Sequence, residues 1–249
     1  MRPVVAFSLV LLLTAGCVQA QEPAGGATSV EIADGRAERV LSGGSEADLS
    51  AWEDHAAVRR AMAAARVHWQ ARDADYEEDA RVLAVAEGAF TTPGADQHAV
   101  LYLMSLWPRC CPKLGLAVIE GDRAVRNVAF EAVAQDLAAV PDLDGDGLDE
   151  LATSGIFGMG GSVSGGVTLL AFTPAGVRTW GSAPILEDAC AAMRDGSTAW
   201  RVLAGPGPSF VTERYTQPSC ESATWEPAGD AEPLELDLYE EDYVEIALE

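Results

Sequence analysis

Basic residues are scarce in this chain: Lys and Arg number 16 against 39 Asp and Glu, a formal net charge of −23 at pH 7. Nucleic acids and anionic membrane surfaces are held by basic patches, so a sequence pI near 4.3 argues against both as partners. Long apolar runs are also missing. The longest, Val4 to Leu13, is interrupted by Ser8, whereas a helix needs about 20 apolar residues to cross a bilayer. No transmembrane segment is expected. Catalytic signatures are lacking too. There is no HExxH, no GxSxG, no phosphate-loop GKS/T and no CxxC. The glycine- and serine-rich stretch Gly160 to Gly166 misses the nucleophile-elbow spacing at both serines, and reads as a flexible hairpin turn beside the acidic loop discussed below. His55, His68 and His98 are scattered and read as surface or packing residues.

What is present begins with an export signal. Arg2 supplies a positive start, Val4 to Leu13 an apolar stretch, and Val18-Gln19-Ala20 small or β-branched side chains at the −3 and −1 positions of a peptidase site. Residues 1–20 therefore read as a Sec-type signal peptide, with Gln21 as the mature N-terminus and a secreted or periplasmic destination. Leu13-Thr14-Ala15-Gly16-Cys17 also resembles a bacterial lipobox, with Thr14 where a large aliphatic residue is usual. On that alternative the chain is lipid-anchored through Cys17. Either route leaves Cys110, Cys111, Cys190 and Cys220. An even count in an exported chain predicts disulfides over merely buried thiols. Neighbouring Cα atoms stand about 3.8 Å apart, short of the usual disulfide span of about 4.4 to 6.8 Å, so a Cys110–Cys111 bridge would be strained. Cys190 with Cys220 is the expected bridge.

Texture divides the remainder. Residues 21–44 form a flexible leader with a short strand between Val30 and Leu41. Residues 45–80 are helical: Ser50 and Glu53 have capping-box spacing, and Val58, Met62, Ala65 and Trp69 recur at helical intervals. Residues 81–249 are β-rich, with apolar runs at Val82 to Val85, Val100 to Met104, Gly115 to Ile119 and Gly166 to Phe172. Residues 131–139 suit helix and strand equally. Leu234, Leu236 and Leu238, then Val244, Ile246 and Leu248, alternate with wet positions and predict a terminal hairpin. The fold class is mainly β with one N-terminal α-helix.

Chemistry concentrates in residues 142–150, DLDGDGLDE. Asp142, Asp144 and Asp146 stand at positions one, three and five, and Gly147 at six, where a sharp turn needs conformational freedom. Calcium takes six to eight oxygens at about 2.3 to 2.6 Å, and alternate residues of a tight turn can aim oxygens at one centre. Leu148 would add its carbonyl at position seven and Glu150 its carboxylate at position nine. The bland reading is an acidic surface turn. An EF-hand is excluded, because position twelve is Thr153 where that motif needs Glu.

The stretch from Gln135 to about Gly166, and DLDGDGLDELATSG above all, resembles the loop of FG-GAP and VCBS repeats, the integrin-alpha-type propeller repeat. That resemblance implies an Asp-rich turn between two antiparallel strands. It implies Ca2+ held by Asp142, Asp144, Asp146, Leu148 and Glu150, with Glu150 where Asp is commoner. Gly88 to Val100 has a similar strand-turn-strand layout without the acids and reads as a degenerate relative. The β region is too short for six or seven blades, so antiparallel sheets in a small or incomplete propeller-like stack are expected. Two functions follow as expectations: a calcium-stabilised binding or structural module for a protein or glycan partner, or an extracytoplasmic hydrolase or carbohydrate-active enzyme using scattered carboxylates. The export signal makes the first testable point. Intact-mass analysis of the exported protein should give a chain starting at Gln21 or at a lipidated Cys17, and a mature chain that keeps Met1 would refute export.

Overall fold

The computed structural model describes residues 29–37, 49–106, 112–190, 196–205, 209–238 and 242–248. The signal peptide, Cys17, Gln21, Cys110 and Cys111 lie outside them. The described chain is mainly β, with its helices confined to the N-terminal side. Helix α1 spans Ser50–Glu53 and α2 spans Ala56–Arg72, with His55 extended between them. The expected capping box does not form. Leu49 occupies the cap position, so Ser50 already lies inside the first turn, and Glu53 instead accepts the Val82 amide at 3.4 Å. Helix α2 buries Ala57, Val58, Ala61, Ala65 and Trp69. It ends where Asp73 turns extended and donates its amide to the Trp69 carbonyl.

A five-stranded antiparallel sheet contains β2 (Arg81–Gly88), β3 (Gln97–Ser105), β4 (Lys113–Glu120), β5 (Arg123–Glu131) and the short β14 (Val244–Glu245), in the order β14-β5-β4-β3-β2. A nine-stranded antiparallel sheet runs β12-β11-β10-β9-β8-β7-β6. It comprises β6 (Asp136–Val140), β7 (Glu150–Met159), β8 (Ser162–Thr173), β9 (Gly176–Asp188), β10 (Ser197–Ala204), β11 (Phe210–Thr216) and β12 (Glu226–Pro227). Its last two members are β1 (Val30–Asp34), which pairs with β10, and β13 (Glu232–Leu234), which pairs with β11. The ambiguous segment 131–139 thus ends in a strand. The predicted terminal hairpin does not form, because β13 and β14 complete the edges of different sheets.

Three apolar layers follow from the strand period. On β3, Leu101 and Leu103 join Leu114, Leu116, Phe130, Leu151, Leu170 and Phe172 between the two sheets. The alternate residues Val100, Tyr102 and Met104 face α2 with Ala61, Ala65 and Trp69. The far face of the larger sheet, which curls on itself, encloses Ile32, Val140, Val167, Leu169, Ile185 and Val202. No described helix is long and apolar enough to cross a membrane.

Between α2 and the smaller sheet lies one buried polar knot. Tyr102 is fully buried, and its ring covers Gly115 on the neighbouring strand, where a Cβ would come within 2.2 Å. Its hydroxyl donates to Asn127 Oδ1 at 2.6 Å, and Asn127 Nδ2 donates to the Ala61 carbonyl at 3.0 Å. Burial pushes the Tyr102 phenol well above its ordinary range, so it stays a neutral donor. A buried hydroxyl stripped of its acceptor costs about 1–3 kcal/mol. Asn127→Ala should therefore destabilise the protein by about 2 kcal/mol in urea unfolding, because it leaves the Tyr102 hydroxyl only the Ala61 carbonyl at 3.4 Å and removes the amide's own tie to α2.

Candidate metal centre

The acidic segment is the connection of a β-hairpin. Val140 pairs with Glu150 as the last rung between β6 and β7, and residues 141–149 bridge the two strands. Gly145 and Gly147 take φ of 80° and 87°, left-handed values that favour glycine, and these let the backbone wrap around its own side chains. Asp142 accepts the amides of Gly145 at 2.7 Å and Gly147 at 2.9 Å. Asp144 accepts the amide of Asp146 at 3.3 Å, and Asp146 that of Leu148 at 2.8 Å. These bonds hold three exposed carboxylates with one oxygen of each within 4.8 Å of the others. Two oxygens on one calcium ion are at most about 5 Å apart, so the spacing fits such an ion.

Glu150 is not part of that cluster. As the first residue of β7 it points inward, is 2% exposed, and accepts the Leu143 amide at 2.9 Å. Burial pushes its carboxyl up to about 7. The Leu143 amide works against that shift, and the charges of Asp144 and Asp142 add to it. Leu148 contributes an amide to Asp146, as above. The cluster also has a protein counter-charge that the sequence reading missed. Arg178 on β9, 34 residues from Asp144, donates to its Oδ2 at 2.7 Å, with its guanidinium carbon 4.5 Å from the centre of the Trp180 ring. Nothing local in the sequence signals this contact, since it depends on β9 lying two strands from β7.

The loop is docked as well as turned. Asp149 Oδ2 accepts the Ala89 amide at 2.8 Å, and the Asp149 amide donates to the Ala89 carbonyl at 2.9 Å. A Cβ on Gly147 would stand 3.3 Å from Pro93. The partner is the β2–β3 connection, the segment with the similar layout. Buried Gln97 organises that connection, its Oε1 accepting the amides of Phe90 and Thr91 at 3.0 Å each and its Nε2 donating to Glu120 at 2.8 Å. The acidic loop therefore ties the two sheets together at one end. Gly160 and Gly161 do form a hairpin turn, but at the opposite end of the ten-residue β7, about 30 Å from the acidic loop and not beside it.

Cys190 and Cys220 form a disulfide, with Cα atoms 5.4 Å apart, linking the end of β9 to the segment after β11. Asp188 steadies it by accepting the Cys190 amide and the Ser197 hydroxyl, each at 2.8 Å. His98 packs its ring 4.7 Å from Trp52 and stands 3.5 Å from Glu87, and the His55 ring lies 5.4 Å from Trp52 at a tilt. No described histidine joins the carboxylate cluster. No protein-family model, curated protein or solved structure matches this chain.

The docking contact can be separated from the cluster. Asp149→Ala removes the acceptor of the Ala89 amide while keeping Asp142, Asp144 and Asp146. It should cost about 1–3 kcal/mol in thermal or urea unfolding, with or without calcium, because the lost contact joins the sheets and does not hold an ion.

Proposed function

We propose that this chain is an exported, calcium-stabilised β-rich binding or structural module, with Ca2+ held at Asp142, Asp144 and Asp146. The convergence of these three carboxylates on one exposed point carries the reading. Leu148, through its carbonyl, and Glu150 complete the proposed set, and Glu150 would reach the ion only by leaving its inward position. The resemblance to FG-GAP and VCBS loops supports calcium as the ion, and the hairpin setting of the loop is the one that resemblance implies. Export rests on the signal-like start, and the Cys190–Cys220 bridge agrees with an oxidising destination.

A cation would reinforce the docked loop. The carboxylates repel one another by about 1 kcal/mol per pair at water-like screening, and a divalent ion turns that repulsion into attraction. The ion would share Asp144 with Arg178 or displace it. A stabilising role is favoured over a hydrolytic one by the cleft between α2 and the end of β14. Among the described residues one carboxylate lines it, Glu245, and that group is ion-paired with Arg126. A glycosidase mechanism needs two facing carboxyl groups.

Calcium dependence tests the reading. Extracellular calcium modules bind at about 10⁻⁴ to 10⁻³ M, so millimolar calcium should add on the order of 1 kcal/mol. For a domain this size that raises the Tm over its value in EGTA by about 2–4 °C. Asp144→Ala should erase the difference. Equal melting in calcium and EGTA, without binding heat in calorimetry, would reduce the loop to an acidic turn.

A further inference from the structure

Helix α2 buries one stripe against the smaller sheet and leaves the adjoining flank open. Arg60, Ala63, Ala64 and Val67 follow one another along that flank. Facing them are Arg123 and Ala124 at the start of β5, and Ile246 to Leu248 just beyond β14. The cleft between measures about 800 Å³, within the range of about 300–1,000 Å³ typical of small-molecule sites. Ala63 and Ala64 end at Cβ, which keeps the helix side of the cleft hollow. Val67 is 67% exposed among these apolar neighbours.

The charge of the cleft runs against that of the chain. Among the described residues most cations are spent on carboxylates: Arg36, Arg59, Arg66, Arg81, Lys113, Arg126, Arg178 and Arg201 all make ion pairs. Arg60 and Arg123 have no carboxylate partner among the described residues. Arg60 donates to the carbonyl of Asp122 at 2.6 Å, which brings it beside Arg123. The acid of the cleft, Glu245, is neutralised by Arg126. His68 shares a hydrogen bond of 3.1 Å with Arg72, and burial and that arginine hold its pKa below the ordinary range. Two guanidinium groups without a carboxylate partner among the described residues thus overlook an apolar trough, in a chain of net charge −23. Screening decides what can use them. At physiological ionic strength the Debye length is about 8 Å, so a small anion touching Arg60 and Arg123 feels them more than the distant acids. A polyanion, or a second copy of this acidic chain, would meet the whole negative surface.

The geometry points to this cleft as a binding site for a small amphipathic carboxylate, its head on Arg60 and Arg123 and its aliphatic body along Ala63, Ala64 and Ile246. The site is independent of the acidic loop and stands or falls apart from the calcium reading.

Dodecanoate below its micellar concentration is the probe, titrated in EGTA so that no calcium soap forms. Calorimetry should give saturable one-to-one binding, and amide NMR shifts should cluster at Ala63, Ala64, Ala124 and Ile246. Dodecyltrimethylammonium, with the same chain and the opposite charge, should not compete. Arg60→Gln and Arg123→Gln should each weaken binding about tenfold, the loss of one charge-assisted contact. Ala64→Phe should fill the trough and abolish binding; if it perturbs folding, the two arginine variants, on the open flank, still decide. Several results would overturn the proposal: no binding, shifts scattered over the surface, equal affinity for the cationic amphiphile, wild-type affinity in both arginine variants, or binding of an acidic peptide where dodecanoate fails.

Discussion

The smaller sheet has to bury both of its faces, and the rest of the structure follows from how it does so. Nearly every residue of β3 from Gln97 to Ser105 is buried, with alternate side chains sent to opposite layers. Each large apolar side chain so placed contributes about 1.5–3 kcal/mol. One face is covered by α2 and the other by β6, β7 and β8. Those three strands then carry a second apolar face of their own, and the larger sheet closes around it by curling and recruiting β1 and β10. Tyr102, Gly115 and Asn127 set the fit on the helix side, since the ring needs a residue without Cβ opposite it and the hydroxyl needs a buried acceptor.

The acidic loop stands where the two sheets meet at one end. Its backbone is held by its own carboxylates and by left-handed glycines, and Asp149 fastens it to the β2–β3 connection. Three like charges are thereby brought together by interactions that do not themselves neutralise them. Arg178 supplies part of the missing positive charge from another strand. The proposed calcium ion would supply the rest, and because the loop bridges the sheets, stabilising it would also stabilise the junction between them.

Charge elsewhere is arranged with similar economy. With acids in large excess, most described cations are committed to a carboxylate, as where Arg36 grips Asp34 and lies over Tyr215, or Arg201 joins Glu31 to Glu213. Arg72 bonds His68 and Arg214 the Ala228 carbonyl, and Arg60 and Arg123 likewise stand outside this pairing, at the edge of an apolar cleft. Exposed pairs of the usual kind contribute about 0–1 kcal/mol each, so the consequence of the pattern lies less in stability than in where positive potential remains.

Much of this was legible from local pattern. Alternation with period two is a property of neighbouring residues, so the β class, the runs at Val82, Val100, Gly115 and Gly166, and the apolar stripe of α2 could be read without a fold. The Asp-Gly spacing announced a turn that gathers Asp142, Asp144 and Asp146, because a tight turn is built from residues adjacent in sequence. Pairing between distant segments was not legible. The same alternation in Leu234 to Leu248 suits a hairpin or two separate edges, and only the open edges of β11 and β5 decided for the latter. Glu150 was turned inward by its place in the pleat of β7, Ser50 fell one residue late for capping, and Arg178 reached Asp144 from β9. Each depends on register or on strand order across the sheet, which arise when apolar faces are buried together and which no stretch of sequence contains by itself.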